Sequence, residues 1–190
     1  CILVSVTFRM DDPDLWQHLV VGRAIWTLGH VPARELWVWP IHGAPDVTPS
    51  WLFRALLWPF WDAGGVAGLF AWRWIATLAT FALLWRAGRA IGARGLAPLP
   101  VLVLAALAWR QRTQVRPDTL VGVLLAAQLL VHARVRAGGR AAAWGLPAIA
   151  LVWANAHVSW WIGLVLQALF VADAWWRGRA SGAAVMAGGA

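Results

Sequence analysis

Five long apolar runs occupy most of the second two thirds of this chain, and polar segments that are mostly rich in arginine separate them. The runs span residues 66–85, 96–109, 119–133, 144–156 and 158–176. With 61% hydrophobic residues and 17 Trp in 190 residues, the chain has more apolar surface than a soluble domain of this size can cover. The pattern therefore predicts an all-α, polytopic membrane protein, with residues 1–190 forming a single transmembrane domain and residues 66–176 supplying about five transmembrane helices.

The arginines predict the orientation of these helices. The clusters that follow every second run contain Arg86, Arg89, Arg94, Arg134, Arg136, Arg140, Arg177 and Arg179. By the positive-inside rule these clusters are cytoplasmic, which places residues 9–65 and 110–117 on the extracytoplasmic side. The net charge of +8 is spread over such loops, so it does not indicate a nucleic-acid partner. Membrane lipids are the partners that this pattern predicts.

Both ends of the sequence resemble interrupted helices. Residues 1–8 are apolar but too short to span a bilayer, and we interpret them as the outer end of a first transmembrane helix. Residues 181–190 are small and apolar, like the start of another helix. We therefore expect the chain to be a fragment that is truncated at both ends. The runs 96–109 and 144–156 are also short, so they either stop inside a protein-lined cavity or extend into their polar flanks.

Residues 9–65 form a long outer loop in which two interfacial helices are predicted. Asp12 followed by Pro13 suits a helix start, with a carboxylate N-cap and proline at the first helical position, and this helix should end near Leu28. A second helix is predicted from Ser50 to Pro59. It is rich in Trp and too short to span the bilayer, so it should lie in the membrane interface.

Several short segments then show a family resemblance. Residues 12–19 read Asp-Pro-Asp-Leu-Trp-Gln-His-Leu, residues 22–25 read Gly-Arg-Ala-Ile, and residues 50–53 read Ser-Trp-Leu-Phe. Further on, Arg-Pro-Asp stands at 116–118 and Trp-Ala-Asn-Ala-His at 153–157. In this order, the segments resemble those of bacterial membrane glycosyltransferases of the GT-C superfamily.

The resemblance implies a GT-C-like helical bundle in the bacterial inner (plasma) membrane, with its active site on the extracytoplasmic face. It also implies an enzyme that transfers a hexosyl or pentosyl group from a polyprenyl-phosphate donor to an acceptor. The chain lacks a Gly-rich phosphate loop, as expected for an enzyme that uses a lipid-linked donor instead of a nucleotide. The alternative is a non-catalytic membrane protein that binds or transports a lipid-phosphate head group.

Asp12 and Asp14 are the predicted catalytic residues, because sugar transfer to a hydroxyl group needs a base for the acceptor proton. Both residues could instead act only at the helix N-terminus, where carboxylates are favoured. Asp14 and His18 share a helix face at spacing i, i+4, and with Asp12 they could bind a divalent cation. A hydrogen bond between His18 and a neighbouring carboxylate is the alternative.

The predicted substrate-binding residues lie in two later outer segments. Arg110, Arg112 and Arg116 stand on the outer side against the positive-inside bias, and their guanidinium groups suit a lipid-linked phosphate. They could also be solvated loop charges or partners of Asp118. Asp12 and these arginines are expected to project into one polar cavity. Asn155 and His157 end a run on the same side, where they either line this cavity or satisfy carbonyl groups at a helix end.

Overall fold

The apolar runs all fold as α-helices. The computed structural model describes residues 2–187, with side chains to residue 178, and this part of the chain contains no β-strand. The α-helices are α1 (Ile2–Ser5), α2 (Leu15–Leu28), α3 (Trp51–Ala90), α4 (Pro98–Trp109), α5 (Pro117–Arg136), α6 (Gly145–Ala156) and α7 (Trp160–Ala187). The all-α prediction is therefore confirmed.

Helix α2 begins two residues later than predicted. Asp14, not Asp12, is its N-cap residue, and the prediction of Asp12 as N-cap is wrong. The Asp12 side chain instead accepts a hydrogen bond from the backbone N–H of Asp14 at 3.1 Å, which closes a turn before the helix. The predicted end at Leu28 is confirmed, because Gly29 follows in a left-handed conformation with φ 73°.

Helix α3 is a tight helical hairpin and does not end at Pro59 as predicted. The backbone leaves the helical region only at Gly65, with φ 52° and ψ −129°. The chain reverses direction at Gly65. Two contacts across the turn show this: the Phe60 ring lies 5.4 Å from the Trp72 ring, and Gly68 packs against the Phe60 carbonyl group. We call residues 51–64 the first arm and residues 66–90 the second arm.

The reversal depends on a glycine at position 68. Gly68→Ala is expected to lower the free energy of unfolding by about 1–3 kcal/mol, because the new methyl group would overlap the Phe60 carbonyl oxygen, which cannot rotate away. Gly64→Ala is the matched control, since a Cβ atom there meets nothing within 4 Å. Denaturant titration of both variants in detergent would measure the difference. Equal stability of the two variants would contradict the close approach.

Two helix contacts build the core around this hairpin. Helix α2 packs on the first arm, and the buried core there consists of Leu15, Leu19, Phe53, Leu57, Leu69, Trp72 and Val115. Helix α5 runs parallel to the second arm, since Trp72 Nε1 donates to Thr119 Oγ1 at 2.9 Å near one end and Ala87 packs near Ala133 at the other. Helix α4 runs in the opposite direction and connects the end of the second arm to the start of α5.

The two short runs extend into their polar flanks. Helices α4 and α6 have 12 residues each, or about 18 Å. A 3-10 turn, Arg110–Thr113, continues α4, and another, Arg140–Trp144, precedes α6. Each combined segment reaches about 26–28 Å, close to the ~30 Å of a hydrocarbon core. Helix α7 continues without a break to Ala187, so the predicted loop at 177–179 is absent, and residues 188–190 of the predicted next segment lie outside the described residues.

Charged residues separate to the two ends of the bundle. At one end, which we call the acidic end, the segment 9–14 meets residues 110–116. At the other, the arginine end, Arg136 and Arg177 both pair with Asp173, at 2.8 and 3.0 Å. Two helices, α3 and α5, are long and apolar enough to cross a membrane by length and composition. In α3, the second arm alone is about 37 Å long, which is sufficient.

Candidate functional site

A buried ion pair organises the acidic end. Asp12 Oδ2 lies 2.9 Å from Arg116 Nε, although the N–H does not point directly at the oxygen. The Asp12 side chain is 0% exposed, and the Arg116 side chain is 41% exposed. The contact with the Asp12 carboxylate raises the pKa of Arg116, so this guanidinium stays charged. Both Asp12 oxygens are engaged, because Oδ1 already accepts the Asp14 N–H.

Local sequence brings Arg116 to this position. Pro117 occupies the start of α5, and the residue before a proline is driven away from helical geometry. Arg116 is accordingly extended, with φ −128° and ψ 164°. Its Nε atom faces Asp12, and the described residues supply no partner for its two terminal amino groups. Arg116 can therefore hold Asp12 and a phosphate oxygen at the same time.

Asp14 has the accessible carboxylate of the cluster. It is exposed and makes no side-chain capping hydrogen bond, and no described residue pairs with its carboxylate. Asp12 was expected to project toward a polar cavity, but its carboxylate is enclosed. Since a base must approach the proton that it removes, Asp14 suits that task and Asp12 suits the positioning of Arg116.

His18 is buried one turn further along α2. Its ring lies edge-on to Phe53, with centroids 5.3 Å apart, and its Nδ1 has no hydrogen-bond partner. Burial lowers the pKa of His18, so the ring is neutral at pH 7. Within the described residues, no three His, Cys, Asp or Glu side chains converge on a possible metal position. The predicted cation ligands Asp12, Asp14 and His18 are thus not brought together, because Asp12 is held by Arg116 and His18 faces Phe53.

The other two predicted phosphate ligands are exposed on the 3-10 turn that follows α4. The Arg110 guanidinium lies over the Phe8 ring at 5.3 Å, and Arg112 is exposed. No ion pair within the described residues involves either of them. Both guanidinium groups are therefore free to contact an anion at the acidic end.

Asn155 and His157 make local contacts. Asn155 Oδ1 accepts the Trp51 indole N–H at 2.9 Å, and Asn155 Nδ2 donates to the Leu151 carbonyl at 2.8 Å. His157 Nδ1 lies 2.7 Å from Ser159 Oγ. Asn155 thus joins the start of α3 to the end of α6 and satisfies a carbonyl group at the helix end. The structure shows no contact between these two residues and Arg116.

Arg73 is a central residue that the sequence reasoning missed. It is fully buried, and its guanidinium donates to the carbonyls of Val6 and Phe8, at 3.0 and 2.8 Å, and to Gln114 Oε1, at 3.0 Å. The available signal was an arginine inside an apolar run, which by itself marks a candidate site. Arg73 ties the N-terminal segment and the 110–116 segment to the second arm.

Comparison of the chain with protein-family models, with curated proteins and with solved structures finds no match.

Proposed function

We propose that this chain is part of an integral-membrane glycosyltransferase of the GT-C type. It transfers a sugar from a polyprenyl-phosphate donor to an acceptor at the acidic end, on the extracytoplasmic face of the bacterial inner membrane. The observation that carries the proposal is the free carboxylate of Asp14 beside a fixed guanidinium: the enclosed Asp12 holds Arg116, and the charge of Asp14 also acts on Arg116.

The distribution of exposed apolar side chains supports a membrane location. Helices α4 and α7 expose many large aliphatic residues, which are Leu99, Val101, Leu104, Leu107, Ile162, Leu164, Val165, Leu169 and Val171. Continuous apolar surface of this kind needs a cover of lipid or of further protein. The arginine end then faces the cytoplasm and the acidic end faces outward.

The proposed reaction uses the residues of the acidic end in three roles. Arg116, together with the exposed Arg110 and Arg112, binds the phosphate of the donor. Asp14 takes the proton of an acceptor hydroxyl, whose oxygen bonds to the anomeric carbon of the donor sugar. The bond between that carbon and the phosphate oxygen breaks, and polyprenyl phosphate leaves with the electron pair. The guanidinium groups stabilise the negative charge that develops on it.

A second candidate function follows from the arginines alone. Arg116 keeps two amino groups that Asp12 does not occupy, and no ion pair within the described residues involves Arg110 or Arg112. These groups can hold a lipid phosphate whether or not chemistry follows. In that case the protein binds or transports a lipid-phosphate head group, and Asp14 has no catalytic role.

Incubation of the full-length protein in nanodiscs with polyprenyl-phosphate-linked sugars separates these functions. The transferase should release polyprenyl phosphate and glycosylated product. Arg116→Lys should raise the KM for the donor by about tenfold or more, because lysine keeps the charge but loses the planar fork. If the lipid binds with the same dependence on Arg116 but no sugar is released, the head-group-binding function replaces the transferase.

A further inference from the structure

A groove of about 570 Å³ lies between α2, the start of α3 and the loop that joins them. Its polar lining residues are Gln17, Glu35, Asp46, Thr48 and Arg54, and Trp16 and Trp37 add aromatic faces. The volume falls within the range of about 300–1,000 Å³ that is typical of small-molecule sites. The ion pair described above does not use any of these side chains.

Hydrogen bonds within the loop fix the backbone of its two acidic residues and the carboxylate of Glu35. The backbone N–H of Glu35 donates to the Ala44 carbonyl at 2.9 Å, and that of Asp46 donates to the Ala33 carbonyl at 3.0 Å. Residues 33–35 therefore pair with residues 44–46, which places Glu35 and Asp46 on two adjacent segments of the loop. Glu35 Oε1 accepts the backbone N–H groups of Trp37 and Val38, at 2.7 and 2.9 Å. These bonds lower the pKa of Glu35 and orient its carboxylate, leaving Oε2 for a ligand.

Arg54 contributes a donor to the same groove. The residue is buried, and its Nε has no hydrogen-bond partner in the described residues. Asp46 and Asp14 both lie close enough for their charges to act on it. The groove therefore presents a fixed acceptor in Glu35, the guanidinium of Arg54 and two aromatic faces together.

We propose that this groove is the acceptor subsite and that it takes a neutral carbohydrate. This proposal rests on the proposed function and names the substrate class of the acceptor. A sugar hydroxyl both donates and accepts hydrogen bonds. It can therefore donate to the carboxylates of the groove and accept from the Arg54 guanidinium. The C–H groups of a sugar ring pack on the negative faces of Trp rings. Two Trp and two carboxylates alone would also suit an ammonium group, but the positive charge of Arg54 opposes one.

The groove approaches the proposed base along α2. Gln17 lines it and stands three residues after Asp14, at the start of the same helix, so the two side chains lie on neighbouring positions of one face. A sugar bound against Trp16 and Trp37 would present a hydroxyl toward Asp14. The proton of that hydroxyl passes to Asp14 as its oxygen bonds to the donor sugar.

Saturation-transfer NMR on the full-length protein in nanodiscs tests the groove without a donor. The probes are D-glucose, D-galactose, D-mannose, L-arabinose and myo-inositol, with choline as the cationic counterpart. At least one of the five polyols should bind, and Trp37→Ala should weaken that binding by about tenfold or more. Trp37→Phe, which keeps an aromatic face, should weaken it less. Trp39→Ala is the matched control, because Trp39 is 86% exposed in the same loop and does not line the groove.

The outcomes separate this inference from the proposed function. Binding of choline and of none of the polyols overturns the carbohydrate assignment, as does equal polyol binding by Trp37→Ala and Trp39→Ala. Glu35→Gln, which keeps the loop bonds to one oxygen, should also weaken binding and serves if Trp37→Ala does not fold. If the protein consumes a donor but neither Trp37→Ala nor Glu35→Gln weakens polyol binding, the acceptor assignment of the groove is wrong and the transferase function is retained. If polyols bind in the groove and no donor is consumed, the transferase fails and the carbohydrate site stands.

Discussion

Asp14→Asn is expected to slow sugar transfer by about 100- to 10,000-fold, the usual effect of losing a general base. Asn cannot take the acceptor proton, yet it is as good an N-cap residue as Asp. Asp14 makes no side-chain capping bond, so the start of α2 should keep its stability. The measurement is kcat for transfer from a polyprenyl-phosphate-linked sugar, with circular dichroism melting as the check on folding.

Two neighbouring carboxylates provide the controls. Asp11 is exposed and pairs with Arg9 at 2.8 Å, so Asp11→Asn should leave transfer unchanged. Asp12→Asn removes the charge that holds Arg116, and it should raise the KM for the donor more than it lowers kcat. An Asp14→Asn variant that transfers sugar at the parent rate would remove Asp14 from the mechanism. A loss of kcat in Asp12→Asn as large as in Asp14→Asn would contradict the separate roles of the two residues.

The sequence predicts the helices far better than it predicts their ends. An apolar run of this length can satisfy the hydrogen bonds of its backbone N–H and C=O groups in few ways other than as a helix. The presence of each helix could therefore be predicted directly from the sequence. The start of α2 could not, because Asp12 and Asp14 are both acceptable N-cap residues. In the folded chain Asp12 instead contacts Arg116, which lies about a hundred positions away in the sequence. The reversal at Gly65 was likewise hidden, since the neighbouring Gly64 and Gly68 sit inside helical segments.

The candidate site was predictable in its parts but not in their assignment. The segments that contain Asp12 and Arg116 could be placed together because two apolar runs follow residue 65 before the 110–116 segment. Which of the three arginines meets Asp12 was open, and Pro117 decides it by extending the backbone of Arg116. The groove that contains Glu35 and Asp46 has no sequence signature, because backbone bonds between distant parts of a loop create it.

Arg73→Met is expected to lower the free energy of unfolding by roughly 3 kcal/mol. The change keeps an apolar side chain of similar length, but it leaves the carbonyls of Val6 and Phe8 and the Gln114 side chain without their donor. Each hydrogen bond to a charged group contributes about 1.5–3 kcal/mol, and relief of the cost of burying a guanidinium offsets part of the loss. Denaturant titration in detergent measures the change.

The same substitution should release the N-terminal segment. Arg73 joins residues 6–8 and Gln114 to the second arm, so hydrogen exchange in Arg73→Met should quicken over residues 2–9 and 110–116 before the rest of the bundle is affected. Arg23→Met is the matched control, because Arg23 lies exposed on α2 and only approaches the Trp58 ring, at 6.0 Å. If Arg73→Met and Arg23→Met both unfold at the same denaturant concentration as the unmodified protein, the hydrogen bonds of Arg73 contribute no net stability. Faster exchange confined to those two segments would instead show that Arg73 orders the 110–116 segment through Gln114. This segment contains every arginine proposed to bind the donor, so Arg73 would then help to position the donor site.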